Sequence, residues 1–348
     1  MKSIKSILLA TLILGLIAVP ISSYAKQSFT LAGPPDWLVG GGDDTTYDWQ
    51  DDDPETPWGI ERVFNGAYYG DQYTTAVQVA ILDSGIDLDH PDLMTNIAWA
   101  VDATGGGDPD DKNGHGTHVA GTIGAIRDNN GVVGMYANVQ IYAIKVLGAS
   151  GRGDWDDLIT GIHLAMEGPD GVVGTEDDAD VISMSLGASG DPGEDVHNAI
   201  IDAYNSGITI VAAAGNEGDG DGTTDEYSWP AAYDEVIAVG ATDKDDTIAS
   251  FSNSGPFLDF AAPGVSIYST YKNGGYDTLS GTSMACPHVS GLVALYLAMG
   301  GQRDPATVKD WLINNALDLG EPGWDLSLIH ISEPTRPLYI SYAVFCLK

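Results

Sequence analysis

Val77-Gln78-Val79-Ala80-Ile81-Leu82, followed by Asp83-Ser84-Gly85, is a nearly continuous apolar run that stops on a carboxylate and a turn. So little polar alternation predicts a strand buried on both faces, as in parallel sheets covered by helices. Similar runs return at 140–146, 181–184, 209–213 and 236–241. Helical patterns occupy 116–126, 154–167, 195–205, 283–299 and 304–316. Buried strands alternating with helices predict a three-layer α/β fold, a mostly parallel central sheet with helices on both faces. Open sheets of this kind bind ligands beyond the carboxyl ends of their strands. Asp83 ends the first strand, His115 opens a helix and Ser283 opens another, so the three can converge.

Two further segments carry chemistry: Asn113-Gly114-His115-Gly116-Thr117-His118-Val119-Ala120-Gly121 and Gly281-Thr282-Ser283-Met284-Ala285-Cys286-Pro287-His288. With Asp83 they offer a carboxylate, an imidazole and a hydroxyl, each among small residues that let a substrate backbone approach. A serine hydroxyl is a weak nucleophile. It needs a neutral His to take its proton and a buried Asp to orient that His. Taken singly, Asp83-Ser84-Gly85 reads as a turn, His115 and His118 as a metal pair, and Ser283 as a helix N-cap. Together they read as acyl-transfer machinery. Met284 adjoins the hydroxyl, and Cys286 reads as a buried packing thiol.

The order Asp, His, Ser and the residues around each resemble the subtilisin-like serine proteases (subtilases), particularly their archaeal secreted branch, over residues 57–325. The resemblance implies that Asp83 orients, His115 is the general base and Ser283 the nucleophile of a serine endopeptidase working through an acyl-enzyme. Ala212-Ala213-Ala214-Gly215-Asn216-Glu217-Gly218 matches the family's oxyanion segment, with Asn216 donating its amide. Ser185, Leu186 and Gly187 would pair with an extended substrate. Ala213, Ala214 and Gly215 would wall the pocket for the residue before the scissile bond, with Ser228 at its floor. Small walls imply broad specificity favouring large apolar or aromatic residues, and the acidic surroundings imply that acidic substrates are disfavoured. The resemblance also implies structural calcium, held by Asp92 and Asp128 with the carbonyls of Ile126, Asn130 and Val132, an oxygen set that suits a hard cation. Asp170, Asp177, Asp178 and Asp180, in a loop where archaeal relatives carry a calcium-rich insertion, and the pair Asp219 and Asp221 are weaker candidates. Rival readings are a catalytically silent module of the same fold and a metal hydrolase using His115 and His118. A lipase would need a Gly-x-Ser-x-Gly elbow, which these residues lack.

The 348 residues carry 14 Lys and Arg against 50 Asp and Glu, a net charge of −36. That charge opposes binding to nucleic acid and anionic membranes, leaving protein or peptide substrates as the expected partners of a monomer. Lys2 and Lys5 precede an apolar stretch at 7–19 and Ser23-Tyr24-Ala25, which reads as a secretory signal over 1–25. No stable membrane insertion is expected once it is cleaved, and the mature protein is expected to be extracellular. Residues 26–56, with Gly40-Gly41-Gly42-Asp43-Asp44 and Asp51-Asp52-Asp53-Pro54, read as an acidic linker too short for a folded prodomain. Residues 326–348 read as a translated sequencing adapter, beginning Leu326-Ser327-Leu328-Ile329-His330-Ile331-Ser332-Glu333-Pro334-Thr335-Arg336, and are left out of the expected domain. Of two cysteines only Cys286 precedes that run, so no disulfide framework is expected.

Overall fold

The computed structural model describes residues 28–31, 54–66, 68–220, 225–318 and 327–329. In chain order its elements are β1 Ser28–Leu31, α1 Trp58–Val63, β2 Gln78–Asp83, β3 Ile97–Asp102, α2 His115–Gly124, β4 Gln140–Lys145 and β5 Arg152–Asp154. They continue with α3 Trp155–Glu167, β6 Val181–Met184, β7 Leu186–Gly187, α4 Glu194–Asn205, β8 Thr209–Ala213 and β9 Val236–Thr242. The last are β10 Phe260–Pro263, β11 Ile267–Tyr271, β12 Gly275–Leu279, α5 Thr282–Ala298, α6 Pro305–Asn315, β13 Ala316–Asp318 and β14 Ser327–Ile329.

Seven strands, ordered β10-β9-β8-β6-β2-β4-β3, pair in parallel, as the apolar runs predict. The period of two along β2 divides its side chains between the faces. Val79 and Ile81 enter a core with Val119 and Ile123 of α2 and Val289 and Leu292 of α5. Ala80 and Leu82 enter a second core with Leu158 and Ile162 of α3 and Val196 and Ile200 of α4. Helix α5 is buried at every position, which explains why its sequence is apolar on all sides.

The five expected strands and five expected helices form, with ends within two residues of those read from the sequence. The edge strand β3 is half-exposed and is set by pairing with β4, so its own sequence does not define it. The hairpin β11–β12 stands outside the main sheet. Within the segment read as a linker, Ser28–Leu31 forms a strand. Ser327–Ile329, inside the adapter-like run, pairs in parallel with β10 and antiparallel with β13. The expected signal and the rest of that run lie outside the described residues.

Gly121 of α2 faces β11, where an added Cβ would overlap Thr270 Oγ1 and Ser269 Oγ. Those hydroxyls donate to the carbonyls of Thr117 and His118 at 2.7 and 2.8 Å, so neither can turn away without losing its bond. Gly121→Ala gains up to about 1 kcal/mol of helix propensity. Overpacking costs about 1–3 kcal/mol. The substitution is expected to lower stability in denaturant unfolding, whereas an exposed helical glycine would give the opposite sign.

Candidate active site

The carboxyl end of β2 and the start of α2 are joined by side-chain caps. The first three α2 amides, of His115, Gly116 and Thr117, donate to Asn113 Oδ1, Ser84 Oγ and Asp111 Oδ2 at 3.2, 3.0 and 3.0 Å. These bonds meet the need of a helix N-terminus whose own N-cap, Gly114, has no side chain. Asp111 is buried and also accepts from Ser84 Oγ at 2.9 Å and from the Asn113 and Gly114 amides at 2.8 Å. A Cβ on Gly116 would overlap the Gly85 carbonyl, so only glycine lets the helix come this close.

This docking places His115 Nδ1 at 2.9 and 3.0 Å from the two carboxylate oxygens of Asp83. Asp83 is 1% exposed and His115 6%. A carboxylate on Nδ1 selects the tautomer with its proton there, leaving the lone pair on Nε2. His115 Nε2 is buried with no hydrogen-bond partner in the structure. His118 is committed elsewhere, its Nε2 lying 3.0 Å from the Ile267 carbonyl, and burial lowers its pKa to about 3. It is therefore a neutral structural residue that does not join His115.

Ser283 is the second residue of α5. Its hydroxyl donates to the Ser185 carbonyl at 3.2 Å, and no hydrogen bond joins it to His115. Pro287 has no N–H, so the Ser283 carbonyl lacks its helical donor. The Ser185 hydroxyl donates to that carbonyl instead, at 2.8 Å. Cys286 is fully buried, and burial pushes its thiol up to about 11, so it packs as a neutral group.

Asn216 follows β8. Its side-chain oxygen accepts from the Thr282 amide at 2.9 Å and from the Thr282 hydroxyl at 3.1 Å. A backbone N–H can only donate, which identifies the atom facing it as Oδ1 and directs Nδ2 away from Thr282. Thr282 Oγ1 in turn accepts from the Gly215 amide at 3.2 Å. Asp111, Thr282 and the Ser185–Pro287 exchange were not legible beforehand, although Pro287 inside a helical pattern was a sequence signal that a carbonyl needed another donor.

Strand β1 lies between β5 and β7, antiparallel to both. Thr30 pairs with Gly187 on one side and Arg152 on the other, and Leu31 pairs with Leu186. The segment expected to pair with substrate thus pairs here with the chain's own residues. A Cβ on Gly187 would meet Ser228 Oγ at 2.6 Å, which puts Ser228 directly behind this strand. Ala213 and Ala214 are buried, and Gly215 takes φ +106°, where a side chain would overlap Asn253 Nδ2.

Asp92 Oδ2 accepts from the Val132 amide at 3.1 Å and the Tyr276 hydroxyl at 2.9 Å, and the Asp92 carbonyl accepts from the Ile126 amide. Asp92 therefore borders the loop carrying Asp128 and Asn130, and a Cβ on Gly131 would overlap its carboxylate. Buried Glu55, which sequence reasoning missed, braces the same loop by accepting from the Asp128 and Asn129 amides at 2.8 and 3.0 Å. A hard cation here would have to draw on these carboxylates together with backbone carbonyls of the loop. Among the described residues no group of three or more His, Cys, Asp or Glu is arranged for a metal. Asp170, Asp177 and Asp178 take part in hydrogen bonds within their own loop, and Asp180 accepts from the Gln78 amide and pairs with Arg303. Asp221 lies outside the described residues.

Ser185→Ala is expected to cost about 1–3 kcal/mol by leaving the buried Ser283 carbonyl unpaired. Adding Pro287→Ala restores an N–H to that carbonyl and should recover part of the loss. A double-mutant cycle in denaturant reads the coupling, and strict additivity would contradict the exchange.

The Subtilase family matches residues 74–328. An intracellular serine protease of Paenibacillus polymyxa is 46% identical over 246 residues, covering 69% of this chain and 72% of its own. Subtilisin DY of Bacillus licheniformis is 43% identical over 267 residues, covering 76% and 93%. Subtilisin E of Bacillus subtilis (strain 168) is 41% identical over 266 residues, covering 76% and 67%. With its parallel sheet and buried Asp–His pair, the chain belongs to the subtilase family, as a serine endopeptidase of the subtilisin type.

Proposed function

We propose that the chain cleaves extended peptides by Ser283 attack, with His115 as base, Asp83 as its orienting partner and Asn216 as an oxyanion donor. The observation that carries this reading is β1, an extended segment held by backbone pairing between β5 and β7, with Ser283 bonded to Ser185 next to β7. Strand addition of this kind recognises main chain and tolerates many side chains, consistent with broad specificity and a pocket formed by Ala213, Ala214, Gly215 and Ser228.

In the first step the Ser283 hydroxyl leaves the Ser185 carbonyl for His115 Nε2. Its proton passes to that nitrogen as Oγ bonds the substrate carbonyl carbon. Asn216 Nδ2, directed by Thr282, stabilises the oxyanion. His115 then protonates the departing amine, and water repeats the sequence on the acyl-enzyme. Ser283→Ala is expected to remove casein hydrolysis and fluorophosphonate labelling while leaving circular dichroism unchanged. Residual hydrolysis above a few per cent would sink the assignment. Asn216→Ala should lower turnover by about 100- to 1,000-fold, the loss measured for such a donor in subtilisin itself.

Calcium would be held by Asp92 and Asp128 with the carbonyls of Ile126, Asn130 and Val132, fixing the loop after α2 without taking part in the chemistry. At 100 times its dissociation constant a bound ion adds about 2.7 kcal/mol of stability. Melting should therefore rise with millimolar calcium, and Asp128→Ala should blunt the rise. Equal melting in calcium and chelator would overturn the site.

The basic and apolar leader supports secretion, with a catalytic domain over 57–325 after a 26–56 linker that contributes β1. Relatives named intracellular serine proteases share the family, so the compartment rests on the leader alone. The placement in the archaeal secreted branch rests on resemblance alone, and the relatives matched above are bacterial. The adapter reading of 326–348 rests on its residue-by-residue match. No helix among the described residues is long and apolar enough to cross a membrane, and monomeric action on peptides is the simplest use of this cleft.

A further inference from the structure

On a chain this acidic, basic side chains are quickly paired. Arg62 pairs with Asp246, Lys112 with Asp108 and Asp110, Arg127 with Asp71, Arg303 with Asp180 and Lys309 with Asp259. Lys145 and Lys272 donate to the carbonyls of Ser84 and Lys112, and Lys244 is also engaged. Among the described residues Arg152 is the one Lys or Arg whose side chain has neither a hydrogen bond nor an ion pair. It is exposed, and it lies in β5, one of the two strands that clasp β1.

The register says what Arg152 faces. Directly opposite residues of an antiparallel pair put their side chains on the same face, with Cβ atoms about 4.5–5.5 Å apart. Arg152 is opposite the position of Thr30, and across the strand that position meets Gly187, which has no side chain to compete. The next position pairs with Leu186, and the one after it would oppose Ser185, whose carbonyl holds the Ser283 hydroxyl. A peptide residue opposite Arg152 is therefore the third before the bond that Ser283 would attack.

We propose that Arg152 is a specificity-determining residue that selects an acidic side chain at the third position before the cleaved bond. The inference rests on the protease reading above and revises, for this one position, the expectation that acidic peptides are disfavoured. The overall charge still repels such peptides, but that field is screened over about 8 Å at 0.15 M salt, and a directly opposite side chain lies closer than that. Asp154 lies two residues along on the same face of β5, opposite Ser28, so the preference belongs to one register and does not extend along the strand. The resident segment has Thr30 at this register and offers Arg152 no charge, which leaves the guanidinium available to a competing acidic peptide.

The test uses the full chain and internally quenched peptides that differ only at that position, carrying Glu, Gln or Lys, at 0.15 M salt. A cross-strand ion pair is expected to favour Glu over Gln by about 1.4- to 5-fold in kcat/KM, and to disfavour Lys by a similar factor. Arg152→Gln should flatten the series and Arg152→Glu should invert it. Ratios among peptides on one enzyme preparation cancel any occupancy of the cleft by β1. A flat series on the wild-type chain, or the same ranking in all three enzymes, would overturn the role of Arg152. Failure of the wild-type chain to cleave any of these peptides, together with no fluorophosphonate labelling, would overturn the protease reading itself.

Discussion

The buried Asp111 carboxylate holds the site together. It accepts from five donors: the Ser84 and Thr117 hydroxyls and the amides of Asn113, Gly114 and Thr117. Two of its partners, Ser84 and Thr117, belong to the end of β2 and the first turn of α2. A negative charge near a helix N-terminus is favourable through the helix dipole, more so when partly removed from solvent. The same geometry would be costly if any donor were removed, because a buried carboxylate without its bonds loses several kcal/mol of compensation. Asp83 and His115 meet because their backbones are pinned by this neighbour, and their mutual bond then fixes the imidazole tautomer.

A comparable division of labour runs through α5. The helix is buried on all sides, so its position is set by packing, but in the proposed mechanism its first turn must also present the Ser283 hydroxyl and orient Asn216. Thr282 does the latter by holding Asn216 Oδ1 with both its amide and its hydroxyl. Ser185 does the former by supporting the Ser283 carbonyl that Pro287 leaves without a helical donor. Each chemical group is thus held by a neighbour of modest polarity, Asn216 by Thr282 and the Ser283 backbone by Ser185.

Most of the architecture was legible because long parallel strands buried on both faces leave strong apolar runs, and the helices between them had no other place to go. Asp83, His115, Ser283 and Asn216 were legible because each sits in a short segment whose small residues are required for close approach. Asp111 was not, because one more Asp in an acidic loop has no local signature. Four of its bonds come from residues 113–117, and the fifth, from Ser84, joins a segment adjacent only in the fold. Glu55 was hidden for the same reason, lying in what read as a linker. Strand β1 could not be foreseen either, since four residues of no special pattern gain their structure entirely from the two strands on either side.

That last point bears on recognition. A cleft that binds by backbone pairing accepts almost any extended chain, including its own, because the hydrogen bonds of a peptide unit do not depend on its side chain. A resident segment also has an advantage over a free peptide, since tethering sets its effective concentration. Discrimination must then come from side chains at fixed registers beside the strand. In the proposed cleft, small residues such as Ala213, Ala214 and Gly187 would make room without choosing. A charge does choose, and it chooses best where its neighbours have not already neutralised it. With 50 acidic residues against 14 basic ones, an unpaired arginine at the cleft edge is the least expected charge on the molecule, and its register determines which peptide side chain it meets.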